Sequence, residues 1–301
     1  MADLERWKKF LRYDPTRWLL ETNDPSILLW YQLDIAHRPE DAAGVMDTRE
    51  RVLYSEPVQT IFAKQNEIGF WGDAENLAQP YYNATLWNLA LLAELGIPRT
   101  SRRARNACEF ILRNVLNDDG TFAELNAVES GYLLRAFGYF KYAQDARVLR
   151  AARVLRERAD SYEARTALLW GWRAFCEDAE IAEAAEENIE RVLEEKDLRG
   201  FGGKVDRTNL KGLGVYTFPQ FNPRDELFLL RVLSEYDRVD DARVAPLIET
   251  LVTLQNERAQ WKLERDWNDA LVTPFERAGE TSRWITLNAV RVIVKLVNRQ
   301  T

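Results

Sequence analysis

The chain holds one histidine, two cysteines and two methionines in 301 residues. With His37 alone, a site built from several imidazoles is excluded, and a Cys2His zinc site would require Cys108, Cys176 and His37 to converge. The cysteines show no CxxC spacing and both sit within helical patterns, so no disulfide framework is expected. Neither a metal nor a cofactor is expected from these residues. A continuous apolar run of the ~18 or more residues that a membrane-spanning helix needs is also missing. The opening Met1-Ala2-Asp3-Leu4-Glu5-Arg6-Trp7 lacks the basic-then-apolar order of a secretory signal, and a cytoplasmic location is the expectation. Positive charge is in deficit: the net charge of −7 argues against a general nucleic-acid binder, which needs an electropositive surface, and no nucleic-acid partner is expected.

Strand signals are nearly absent, and helical periodicity dominates. Short helices are expected over 3–12 and 26–36, the second entered through Asp24 as N-cap with Pro25 at the first helical position. Further helices follow over 49–64, 83–95, 101–115, 127–141, 145–158, 162–176, 180–195, 223–236, 240–255 and 283–297. Polar-faced helices alternate with helices that are apolar almost all round. Gly131 and Gly138 lie on one face of the 127–141 helix, where a neighbouring backbone is expected to come close. Asn222 with Asp225 three residues on has the form of a capping box for the 223–236 helix.

Six such pairs predict an all-α fold, a single domain over 1–301 in which six helix hairpins close into an α/α toroid, with apolar helices inside and amphipathic helices outside. An open solenoid is the competitor, but it rarely makes one helix of each pair apolar on every face. In a closed ring the long loops 66–82, 116–126, 196–222 and 256–281 all emerge at one end, at the heads of the inner helices. A pocket mouth is expected there, where helix dipoles favour anionic groups.

Two segments share a spelling: Gln65-Asn66-Glu67-Ile68-Gly69-Phe70-Trp71 and Gln255-Asn256-Glu257-Arg258-Ala259-Gln260-Trp261. The first resembles the QW repeat of the squalene–hopene and oxidosqualene cyclases, and the second is similar with alanine for glycine. Asp119-Gly120-Thr121-Phe122 is a weaker remnant. The resemblance implies an α/α toroid, with Gln65, Trp71, Gln255 and Trp261 as braces rather than catalysts. It also implies terpene cyclase-like chemistry on an apolar or prenyl small molecule in a central pocket. The sequence departs from that family in its acid: no Asp-x-Asp-Asp tetrad is present. Asp266-Trp267-Asn268-Asp269 has asparagine at the proton-donating position, and Pro223-Arg224-Asp225-Glu226 has arginine there. The class I metal motif is missing too, since Asp240-Asp241 runs into Ala242-Arg243-Val244.

The candidate catalytic residues are therefore Asp225 and Glu226, a carboxylate pair at the first turn of an inner helix, and Asp269. Their plain alternative is a helix cap. Aromatic residues crowd the same end, and Tyr82, Tyr132, Tyr216, Phe218, Trp267 and Trp284 are the candidates for a substrate wall, through cation–π contact with a developing carbocation or through plain packing. Glu129 and Arg165, on otherwise apolar helices, need partners or line a wet cavity. A six-hairpin glycosidase is the alternative enzyme, with Asp206, Asp225 and Asp269 as its carboxylates. A non-catalytic scaffold is the third reading. Arg147, Arg150, Arg153 and Arg156 are expected to meet Glu183, Glu186, Glu187 and Glu190 in a surface salt network.

Overall fold

The computed structural model describes residues 6–194 and 215–299. It is an all-α structure. A 3₁₀ turn at Arg6–Phe10 precedes α1 (Thr16–Leu20), α2 (Pro25–Trp30), α3 (Ala43–Leu53), α4 (Glu56–Ala63), α5 (Thr85–Leu95), α6 (Arg102–Asn114) and α7 (Ala127–Tyr139). After them come α8 (Ala146–Val154), α9 (Tyr162–Trp172), α10 (Ala179–Glu194), α11 (Glu226–Glu235), α12 (Ala245–Thr253) and α13 (Arg283–Arg299). Two pairs of two-residue strands are the only sheet among the described residues: Thr217–Phe218 runs parallel to Arg265–Asp266, and Trp261–Lys262 antiparallel to Thr281–Ser282.

The expected alternation is present. Every residue of α5 except Glu94 is buried, and α11 buries all but its last residue, whereas α6 and α8 bury one face. The entry to α2 is as expected: Pro25 stands at the first position and the Asp24 carboxylate accepts a 2.9 Å hydrogen bond from Ser26 N. Beyond Trp30 the helix widens into a π turn over Tyr31–Ile35.

Several boundaries differ from expectation, among them α12, expected over 240–255, which spans Ala245–Thr253, and α3, which already starts at Ala43. The helix expected over 49–64 is two helices, because Pro57 has no N–H to offer a continuous ladder and Ser55 folds its hydroxyl back onto Val52 O at 2.8 Å. The helix expected to start near Pro223 begins at Glu226, with Asp225 itself as N-cap; its carboxylate accepts from Leu227 N at 2.8 Å and Phe228 N at 3.2 Å. The surface salt network also takes other partners. Arg153 pairs with Asp178 and Arg156 lies 3.8 Å from Glu180, while Arg147 reaches Asp145 at 2.7 Å and Glu109 at 3.4 Å. Thus α8 meets the N-terminal end of α10 on one side and α6 on the other.

The chain forms two compact units: Met1–Thr48, Leu193–Asp266 and Phe275–Thr301 make the first, Arg49–Val192 and Trp267–Pro274 the second. In the second, the buried helices α5, α7 and α9 pack side by side, α7 between the other two. In the first, α13 packs on both α11 and α2.

Each unit holds one of the two matching loops, and they fold alike. In the second unit, Gln65 Nε2 donates to Gly69 O at 2.8 Å and to Arg103 O at 3.0 Å, and Trp71 Nε1 donates to Ile61 O at 2.7 Å, two residues before the end of α4. The backbone N–H of Trp71 then reaches Thr85 Oγ1 at 2.9 Å, in the first turn of α5. In the first unit, Trp261 Nε1 donates to Leu251 O at 2.8 Å, two residues before the end of α12, and Trp261 N reaches Thr286 Oγ1 at 3.0 Å in the first turn of α13. Gln255 Nε2 donates to Val252 O at 2.7 Å and Phe10 O at 3.0 Å, and Arg12 N donates to Gln255 Oε1 at 2.8 Å. Each indole thus donates to a carbonyl in the last turn of the preceding helix, and Ile61 O accepts from Lys64 N as well, at 3.2 Å. Ala259 holds the left-handed turn with φ +54°, where the other loop has Gly69 at φ +123°. A Cβ at Gly69 would lie 2.9 Å from the Asn106 backbone, whereas the loop at 259 admits one.

The glycines of α7 mark a close approach, as expected. A Cβ on Gly131 would sit 2.4 Å from Ala167 O in α9, and one on Gly171 of α9 would sit 2.5 Å from Gly131 O. Alanine is the better helix former by ~1 kcal/mol, but the methyl must push two helices apart, which costs ~1–3 kcal/mol. Gly131→Ala should therefore lower the urea midpoint, and an unchanged or raised midpoint would mean that the two helices are not in contact there.

Candidate functional site

The densest group of partly exposed aromatic rings lies in the second unit, at the heads of α5 and α7. The loop after Trp71 delivers Tyr81 and Tyr82 to the first turn of α5. Tyr82 takes a left-handed φ of +66°, uncommon for a bulky residue and a conformation that recurs at ligand sites. Its ring lies 5.1 Å from Trp87, edge on, and 4.7 Å from Trp267. Tyr81 is 5.9 Å from Trp87, and Trp87 is 5.7 Å from Tyr132 of α7. Centroid separations of this size are those of favourable ring pairs.

Exposure grades across the group. Trp87 and Tyr132 are each 3% exposed, Tyr82 and Trp267 are half-buried, and Tyr81 is 49% exposed. Trp87 is fixed from behind by its Nε1–H, which donates to Ala78 O at 2.8 Å. The buried pair forms a base and the half-buried pair a rim.

One carboxyl meets this group. Glu129, buried in the first turn of α7, closes a capping box: Asn126 N donates to its Oε2 at 2.9 Å and Glu129 N donates to Asn126 Oδ1 at 3.0 Å. Burial raises its pKa above the ordinary glutamate value, opposed by the hydrogen bond from Asn126 N–H and by the nearby Tyr81 hydroxyl. Glu129 is thus a protonatable group near the most exposed ring of the cluster. Arg165, at the head of α9, is half-buried and donates to Asp160 O at 3.4 Å. The neighbouring Arg135 of α7 lies 3.8 Å over the Trp170 ring, a cation–π contact that accounts for a charge on an apolar helix. Asp269 is exposed in the turn that follows Trp267.

The remaining candidates lie in the first unit and are more deeply set. Phe218 stacks on Trp284 with centroids 4.1 Å apart and meets Phe275 edge on at 5.4 Å; Phe218 and Trp284 are each 1% exposed. Tyr216 is 2% exposed and fixed by Glu264, whose Oε2 accepts from Tyr216 N at 2.8 Å. These rings form core. Asp225 is fully buried. Its second oxygen accepts from Thr217 N at 2.8 Å and Thr217 Oγ1 at 3.0 Å, so four hydrogen bonds tie the strand at Thr217 to the head of α11. That is the geometry of the cap and brace. Glu226 beside it is 2% exposed. Asp206, with Lys204, Arg207 and Lys211, lies outside the described residues.

Two participants carried no clear signal in the sequence. Trp87 reads as one more apolar residue of α5. Glu276 also escapes notice: from a loop it caps α13, accepting from Arg283 N at 2.7 Å and from the Ser282 hydroxyl. Burial raises the Glu276 carboxyl, with the nearby charge of Asp24 adding to the rise, and burial raises Asp24 as well. Among the described residues no group of three or more His, Cys, Asp and Glu side chains is placed to hold a metal ion, and no helix is long and apolar enough to cross a membrane.

Burial pushes Asp225 up to about 7, against the four hydrogen bonds donated to it. A carboxyl whose folded pKa exceeds its unfolded value binds more protons in the folded state between the two values, so it contributes stability at low pH that is lost as pH rises. Between about pH 4 and 7 the stability of the native protein should therefore fall relative to that of Asp225→Asn, which does not titrate. Urea unfolding of both proteins across that window measures it; a parallel pair of stability curves would show that Asp225 stays ionised throughout.

Comparisons with protein family models, with curated proteins and with solved structures return no match.

Proposed function

We propose that this chain is a terpene cyclase-like α/α toroid of six hairpins that binds or transforms an isoprenoid or similar apolar substrate. The rings around Tyr82 and Trp267 would form part of the wall of its central pocket. Three features support the toroid: the alternation of buried and amphipathic helices, the side-by-side packing of buried helices within each unit, and the two indole-locked loops.

The observation that carries the functional reading is the graded aromatic cluster with Glu129 at its edge. Rings that meet at 4.7 Å yet stay half-exposed have more face open than a core needs. Such faces favour flat or branched hydrocarbon and stabilise a developing cation. For an isomerase- or lyase-type reaction, the raised Glu129 carboxyl is the group in this cluster suited to donate a proton to an alkene or epoxide, with Asn126 orienting it. Asp225 is less suited to that role, since all of its hydrogen bonds run to the framework. A glycosidase would require a second carboxylate facing Glu129 across a groove.

Thermal denaturation in the presence of farnesol, geranylgeranyl diphosphate, squalene and an oligosaccharide separates the readings. An isoprenoid at about a hundred times its Kd should stabilise by ~2.7 kcal/mol, a rise of several degrees in Tm. Trp267→Ala and Tyr82→Ala should each lose most of that rise. A response to the oligosaccharide alone, or none to any lipid, would overturn the proposal.

A further inference from the structure

Away from that cluster, the first unit contains a cleft of about 370 Å³. Its floor is Val239, Ile248 and Leu296, all buried, and its walls are the half-buried Phe10 and Val252. The cleft thus joins the 3₁₀ turn at Arg6–Phe10, one face of α12 and the last turns of α13. The volume falls in the range of small-molecule sites. A docked helix would need a longer groove, since its anchors recur over two turns or more.

The charged residues that line the cleft are all acidic: Asp240, Asp241 and Glu249. Asp241 is neutralised by Arg243, whose guanidinium donates to it at 2.9 and 2.7 Å. Among the described residues Asp240 has only Arg299, at 3.9 Å with both side chains partly exposed, which is a weak pair. Glu249 is exposed on α12 and makes no hydrogen bond or ion pair among the described residues. An apolar cleft therefore opens beside one unmatched carboxylate and one weakly matched carboxylate. A ligand carboxylate or phosphate would be repelled there, and an ammonium group attracted.

We propose that this cleft is a second binding site, for a small apolar molecule that carries one ammonium group. The hydrocarbon lies on Ile248, Val252 and Leu296, and the cation sits between Asp240 and Glu249. This inference stands apart from the isoprenoid reading, because it concerns different elements and the opposite sign of ligand charge to a prenyl diphosphate.

Calorimetric titration of the full chain with 4-phenylbutylamine, 4-phenylbutan-1-ol and 4-phenylbutyrate tests it at constant hydrocarbon. The amine should bind most tightly, by about threefold or more over the alcohol, and the carboxylate most weakly. Added salt should narrow the gap, as it screens exposed charge. The double variant Asp240→Asn/Glu249→Gln should bring amine and alcohol to the same affinity. Val252→Arg fills the cleft and should abolish binding of all three; circular dichroism checks that it folds, and the charge variant, on exposed side chains, tests the site independently of it. Equal binding of amine and carboxylate, an unchanged amine affinity in the charge variant or in folded Val252→Arg, or no amine binding at millimolar concentration would each overturn the proposal.

Discussion

The hydrogen bond from a tryptophan indole to a carbonyl near the end of the preceding helix is the constraint on which the hairpin geometry depends. Trp71 makes it to Ile61 O and Trp261 to Leu251 O, and in both cases the same tryptophan's backbone N–H is received by a threonine in the first turn of the next buried helix. One residue thus ties down the end of one helix, packs beneath the loop and fixes where the next helix starts. The preceding glutamine completes the lock through backbone carbonyls.

Fixing the helix heads has a consequence for chemistry. Thr85 is held by Trp71, so the residues just before and after it, Tyr82 and Trp87, are presented at a set height beside the head of α7. Glu129 reaches the same level through its capping box with Asn126. The aromatic rim with its raised carboxyl is therefore positioned by framework bonds, from Trp71 to Thr85 and between Glu129 and Asn126. In the first unit the equivalent helix heads are closed instead: Asp225 is consumed by Thr217 and by its own helix, and Phe218 and Trp284 stack face to face.

Much of the frame was legible in the sequence because it rests on local chemistry. Asp24-Pro25 marks a helix start, the alternation of apolar and polar-faced helices gives the fold class, and Gly131 flags the contact with α9. The shared Gln-Asn-Glu spelling foretold two loops of one geometry. What could not be read was set by contacts distant in sequence. Tyr82 and Trp267 stand far apart in the chain and no period joins them. Trp87 differs from a core residue only in what reaches it from the preceding loop. The Asn222-x-x-Asp225 pattern had the right form for a cap, but Asp225 made the better one, because it also receives Thr217. The arginines of α8 chose partners by the placement of α6 and α10, which their own stripe does not encode.

The central claim is that the ring cluster at the heads of α5 and α7 holds an apolar substrate. Photo-crosslinking with a diazirine-bearing farnesol analogue, followed by mass-spectrometric mapping, tests it most directly. Label should concentrate on the peptides containing Tyr82 and Trp267 and be competed away by unlabelled farnesol. Label spread over the surface, or confined to peptides that contain neither residue, would contradict it.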